Sequence, residues 1–459
     1  MLASRQPRMV AKPDVAMAPA AAIVALCVLV GLPGKASAGD DGGGAPPTDQ
    51  TFAVHAQSTL IDQAVTDFRS PYVGKNSLTP SQGRETFTAT LYAGFRPWRG
   101  GEIWIDPEID QGFGLDDTEG VAGFPNGQGA KVGKVVPYFR LQRIFFRQTI
   151  DLGGERQKVD AGQNQLGGSQ TVNRLVFWVG KLSVVDIFDT NKYAHDAAND
   201  FLNFSLIDAG SFDYAADAWG YTYGAAVEWY QGRWTLRGGA FDLSSVPNGA
   251  VLDPTFGQDQ YVGEIEERHT IGGQEGRLIV TSFLTRGRIG DFADAIRLAE
   301  TTGQTPDTAL VRRYRSRAGI SIDLEQSVTD DLGLFARAGV ADGHVEPYEY
   351  ADIDQTVSGG LSLSGKRWGR GDDTVGFAGV VNSISKIHQQ YLADGGLGIL
   401  VGDGKLPHPG PEEIIETYYK IAVTANTALT FDAQLVGNPA YNRDRGPAPI
   451  FAARLHAQF

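Results

Sequence analysis

Residues 449–459 read P-I-F-A-A-R-L-H-A-Q-F. Phe451, Ala453, Leu455, Ala457 and Phe459 fall on one side, and Arg454, His456 and Gln458 on the other. A period of two marks a strand with two unlike faces. About ten such residues, tilted, cross a bilayer with the apolar face to lipid and the polar face to a watery lumen. The same alternation recurs at 52–60, 86–95, 102–106, 137–149, 173–181, 219–230, 233–241 and 260–269. It continues at 276–285, 313–325, 331–341, 355–366, 373–382, 416–425 and 428–436, which predicts sixteen strands.

The connections separate a membrane barrel from a soluble sandwich. Taking the amino terminus as periplasmic, every second connection is tight: 96–101, 231–232, 270–275, 326–330, 367–372 and 426–427. The alternate ones are long: 107–136, 182–218, 286–312 and 383–415. Short turns at one end and long loops at the other are the habit of outer-membrane barrels, and a sandwich has no reason to alternate them. Residues 150–172 break the rule, being long where a short turn is due. Within 219–230, Trp219, Tyr221, Tyr223, Ala225, Val227 and Trp229 share a face with aromatics at its ends. That sorting predicts lipid-facing girdles at the two headgroup layers.

The amino terminus is expected to be a cleaved signal peptide, residues 1–38. Arg5, Arg8 and Lys12 precede an apolar run at 18–32, and Ala36-Ser37-Ala38 forms a small-x-small cleavage site. Residues 39–51 are Gly/Pro/Asp-rich and read as a flexible periplasmic tail. The barrel domain is expected over 52–459. The single cysteine, Cys27, lies in the signal, so disulfide and thiol chemistry are not expected. Removing the signal takes Arg5, Arg8, Lys12, Lys35 and Asp14, and the net charge falls from −14 to −17. Such acidity argues against nucleic acid as a partner.

The inward faces carry the candidate chemistry. Residues 313–325 put Arg313, Arg315, Arg317, Ser321, Asp323 and Glu325 on one side, and Tyr314, Ala318, Ile320, Ile322 and Leu324 on the other. Successive arginines repel one another unless water or acids compensate. They read either as a solvated wall or as a basic ladder at a constriction, where planar guanidinium forks grip vicinal hydroxyls. Arg237, Arg337, Arg140 and Arg147 could join that ladder. Arg143 breaks the alternation between Arg140 and Arg147, which predicts a bulge. Glu102, Trp104, Asp106 and Glu108 lie on the lumen side of the third strand, offering carboxylates and a stacking plate. No H-E-x-x-H or G-x-S-x-G occurs, so no catalytic residue is assigned and no cofactor is expected. Asp189, Asn191, His195 and Asp196 fit no standard metal-ligand spacing. The 182–218 loop that holds them is expected to fold inward and narrow the pore.

Five stretches then point to a family. They are E-I-W-I-D-P-E-I-D-Q-G-F-G-L (102–115), G-V-A-G-F-P-N-G (120–127), V-V-D-I-F-D-T-N-K-Y-A-H-D (184–196), F-D-Y-A-A-D-A-W-G-Y (212–221) and N-P-A-Y-N-R-D-R-G-P (438–447). Together they resemble the carbohydrate-selective porin family, OprB type. The resemblance implies a sixteen-stranded barrel in the outer membrane of a Gram-negative bacterium, passing sugars passively with arginines at its narrowest point. It also implies that Phe459 is read by the barrel-assembly machinery. A porin for anions or other small polar solutes is the second reading, and an outer-membrane barrel enzyme the third. Monomer and homotrimer both fit the sequence.

Overall fold

The computed structural model describes residues 49–129 and 133–459. The expected signal, 1–38, and the tail up to residue 48 lie outside the described residues. Among those described, sixteen antiparallel strands close into one barrel in chain order, with β1 (Phe52–Val65) paired to β16 (Ala448–Gln458). Between them run β2 (Gln82–Trp98), β3 (Gly101–Gly112), β4 (Lys134–Val159), β5 (Gly168–Leu182), β6 (Thr222–Gln231), β7 (Trp234–Asp242) and β8 (Asp259–Ile271). The round continues with β9 (Gln274–Ile289), β10 (Arg313–Ser327), β11 (Leu332–Ala341), β12 (Gln355–Gly365), β13 (Arg370–Ser383), β14 (Glu412–Thr424) and β15 (Thr427–Gly437). The closing register sets Gln57 against Gln458 and Val65 against Ile450. Closure leaves no unpaired edge, which the hydrocarbon layer would not tolerate.

The alternation sorts the faces as expected. On β3, Ile103, Ile105 and Ile109 are exposed on the outside while Glu102, Trp104, Asp106 and Glu108 are buried inside. On β10, Ile320, Ile322 and Leu324 face out, and Arg317, Ser321, Asp323 and Glu325 face in. The girdle reading of the 219–230 stretch needs correction. Tyr223, Val227 and Trp229 are exposed, but β6 starts at Thr222. Gly220 takes φ 96°, a conformation that favours glycine, and swings Trp219 and Tyr221 off the lipid face. There they cover the guanidiniums of Arg140 and Arg143, at 3.4 and 4.9 Å from ring centre. Cation–π contact in a partly dry lumen outweighs a place in the girdle.

The long 150–172 connection also resolves. β4 and β5 run on past their neighbours, so the turn itself is only 160–167. At the opposite end the loops fold into the barrel, and the apolar core forms inside the lumen. The 183–221 loop, with the short helix α1 (Phe204–Ile207), stacks Phe204 on Phe124 of the 113–133 segment at 4.6 Å. Helices α2 (Phe292–Thr302) and α3 (Lys386–Ala393) pack in the loops above, with Phe292 on Tyr391.

Candidate functional site: the lumen and its waist

A loop that dives into a barrel buries its backbone, and each buried N–H and C=O then needs a partner. Inward strand residues supply them. Glu416 accepts from the backbone N–H of Leu202 and Asn203, and Glu412 from Ala122, Gly123 and Ala440. Glu264 accepts from Asp189 N–H and Glu325 from Lys192 N–H. Arg337, fully buried, donates to the carbonyls of Ala194, Leu206 and Asp189 and to the Asp323 carboxylate. Arg454 donates to Ala197 O. The 183–221 loop is thereby tied to β8, β10, β11, β14 and β16, and it fills that side of the lumen.

Besides a cavity of about 490 Å³ bordered by Lys192, Arg268, Arg277 and Glu325, open space remains on the other side as two cavities. The one nearer the short turns measures about 680 Å³ and the other about 550 Å³. Arg147, Gln165, Trp178, Asp186 and Thr190 line both, which puts these five side chains at the junction. Arg147 lies over Trp178, 4.9 Å from the ring centre, and bonds to Glu102. Trp178 donates to Glu228 at 2.8 Å. Arg237 is held by Glu228, Glu264 and Glu266 at 2.6–2.9 Å. Arg174 stacks on Tyr230 at 3.6 Å and has no ion-pair partner within 4 Å among the described residues. The larger cavity is bordered by six arginines and five carboxylates, and the smaller by Glu108, Asp110, Asp186, Asp196 and Asp208 against Arg143, Arg147 and His195.

The expected site residues divide. Arg147, Arg237 and Glu102 border the larger cavity, and Glu108 the smaller. Arg140 faces inward but is taken by Asp217 at 2.8 Å and by Trp219. Trp104 is fully buried, its indole N–H on Glu102, so no ring face is left for a solute. Asp106 is buried too, with Arg143 at 3.9 Å. The 313–317 ladder borders neither cavity. Arg313 and Arg315 bind Asp294 at the start of α2, and Arg315 also binds Asp291 at 2.8 Å. Arg317 is fully buried near Asp213 and Asp354, at 3.4 and 3.5 Å. Asp213 in turn accepts from the backbone N–H of Tyr348, Glu349, Tyr350 and Ala351. Acids of the loops thus pair with all three arginines, although Arg313 stays largely exposed.

Sequence reasoning missed Arg96, Arg143, Arg174, Arg277, Trp178 and Tyr230. Arg174 and Trp178 share the inward parity of β5, and Tyr230 is even-numbered on a strand whose odd positions face out. That signal was present. The bulge at Gln142, where the β3–β4 register shifts, turns Gln142 and Arg143 inward together. Arg143 then reaches Asp186 of the loop at 2.6 Å. In the loop, burial alone would lower His195, but the Asp208 carboxylate 3.5 Å away raises it to about 9. Burial also pushes Asp189 upward against the pull of Arg337. Among the described residues, no group of three His, Cys, Asp or Glu is arranged to hold a metal ion.

A family model described as carbohydrate-selective porin, OprB family, matches residues 75–459. The high-pH structure of Pseudomonas putida OprB is similar at a TM-score of 0.66 and 15% identity, over 89% of this chain and 94% of that one. Its low-pH structure gives 0.48 at 12% identity, over 89% and 93%. The outer membrane channel DcaP of Acinetobacter baumannii gives 0.48 at 9%, over 89% and 97%. No curated protein matches the chain.

Proposed function

Because the chain belongs to the carbohydrate-selective porin, OprB, family, and is therefore a porin of the Gram-negative outer membrane, we propose that it passes carbohydrates such as monosaccharides by passive diffusion through an arginine-bordered waist. The observation that carries this reading is the junction of the two cavities. There Arg147 and its neighbours are fixed by carboxylates and aromatic rings rather than left free. Anchored guanidiniums offer N–H donors at set positions to sugar hydroxyls. Nearly balanced charge lets a neutral solute pass without a strong well, and conduction needs binding weak enough to release.

The second reading, a channel for anions or other small polar solutes, draws support from Arg174, which has no ion-pair partner among the described residues. Liposome swelling with a monosaccharide, an amino acid and a dicarboxylate separates the two. The sugar is expected to be fastest, and a faster dicarboxylate overturns the proposal. We also propose Phe459 as the end read by the assembly machinery. Its backbone completes the ladder with Ala56, and its ring is exposed on the outer face. Deleting it is expected to lower folded protein in the outer membrane while conductance per assembled channel stays the same; normal assembly overturns this.

A further inference from the structure

The β4–β5 hairpin does not end at the barrel rim. β3 pairs with β4 only down to Gly101–Gln148, and β6 with β5 only down to Arg174–Tyr230, yet the β4–β5 ladder runs on to Val159–Gly168. Beyond the rim it is a two-stranded ribbon with no third strand paired to it. Its register shifts twice around Gly153 and Gly154, which take φ 105° and 90°. Glycine-bearing bulges bend a ribbon sharply. The bend carries the turn, residues 160–167, back into the lumen.

The turn is fastened there. Gln50 N–H donates to Gly167 O, and Gln50 Oε1 accepts from Gly167 N–H, each at 2.9 Å. Arg96 donates to Gly167 O at 2.9 Å, and Gln163 donates to Gln57 of β1 at 2.9 Å. Leu166 is fully buried in the cluster that includes Ala53, Tyr92 and Trp104. Gln163 and Asn164 border the smaller cavity, Leu166 the larger, and Gln165 both. Asn164 sits at φ 54°, and its Oδ1 is buried with no hydrogen-bond partner among the described residues.

We propose that this periplasmic turn is the specificity element of the channel. It narrows the passage from below and presents the carboxamides of Gln163 and Gln165, fixed by bonds to Gln57 Oε1 and Asp160 O and backed by Asn164, to a neutral polyhydroxylated solute. A carboxamide both donates and accepts, as a hydroxyl does, and carries no charge to favour an ion. The proposal rests on the sugar reading, but its steric half does not.

Two variants test it in planar bilayers. Deleting 161–165 is expected to raise single-channel conductance in potassium chloride about twofold or more and to abolish sugar-dependent block. The triple variant Gln163→Ala, Asn164→Gly, Gln165→Ala keeps the turn and the left-handed position. It is expected to raise conductance less than the deletion does while weakening sugar block about threefold or more. Parent conductance in the deletion variant overturns the placement of the turn. Parent sugar block in the triple variant overturns recognition by the amides, and decides the point even where the deletion variant fails to fold. A parent channel with no sugar block at all overturns the sugar reading, while the conductance comparison still judges the turn.

Discussion

From β2 to β7 most inward charges border open space, whereas from β8 to β16 many are spent on the loops that fill the lumen. Arg147 and Arg174 lie on aromatic rings at the edge of a cavity; Arg337 and Arg454 are fully buried against carbonyls. All four obey the same alternation. An arginine that points into a barrel is therefore not yet a pore arginine, and what lies opposite decides. The 183–221 loop covers one half-wall and leaves the other to water.

Breaking the covered side is expected to have the largest effect. Arg337→Met leaves Asp189 and Asp323 buried without their cation, which costs about 3–5 kcal/mol when one partner of a buried pair is removed. The folded band on a gel is expected to give way at a lower temperature, and assembled channels to show noisy, enlarged conductance as the loop loosens. Arg147→Gln acts on the open side. Assembly is expected to be unchanged, sugar-dependent block to weaken about tenfold, and selectivity to shift toward cations, read by bilayer recording.

A smaller effect tests the border between the halves, where His195 lines the smaller cavity and faces Asp208, with Asp189 and Arg337 behind. Its value is raised, so the pair steadies the loop fully below about pH 6.5 and is lost as pH rises through about 9. Cation selectivity is expected to increase between pH 8 and pH 10 by this route, and His195→Asn to remove the step. Tyr214 and Tyr221, also on this cavity, are raised by burial and stay neutral across that range. The smallest effect is expected from Arg315→Ala. Its guanidinium is held by Asp291 and Asp294 away from both cavities, so sugar block and ion selectivity are expected to stay within about twofold of the parent. A larger change would mean that the ladder reaches the permeating solute.

The sixteen strands, their order and the face most strand residues take were legible in the sequence, because a period of two needs only neighbours along the chain. The alternation of short and long connections was legible for the same reason. Three features were not. Trp219 and Tyr221 kept the right parity, but Gly220 turned them inward. Residues 150–172 looked like an overlong turn, and proved to be a ribbon bent back at Gly153 and Gly154. Arg313, Arg315 and Arg317 held the expected face yet met Asp294, Asp291, Asp213 and Asp354 from loops far away in sequence. The sequence by itself determined the barrel and the inward set of side chains. Only the tertiary structure decided which of them meet water, because that depends on where each loop finds partners for its buried backbone, and those partners lie up to hundreds of residues away.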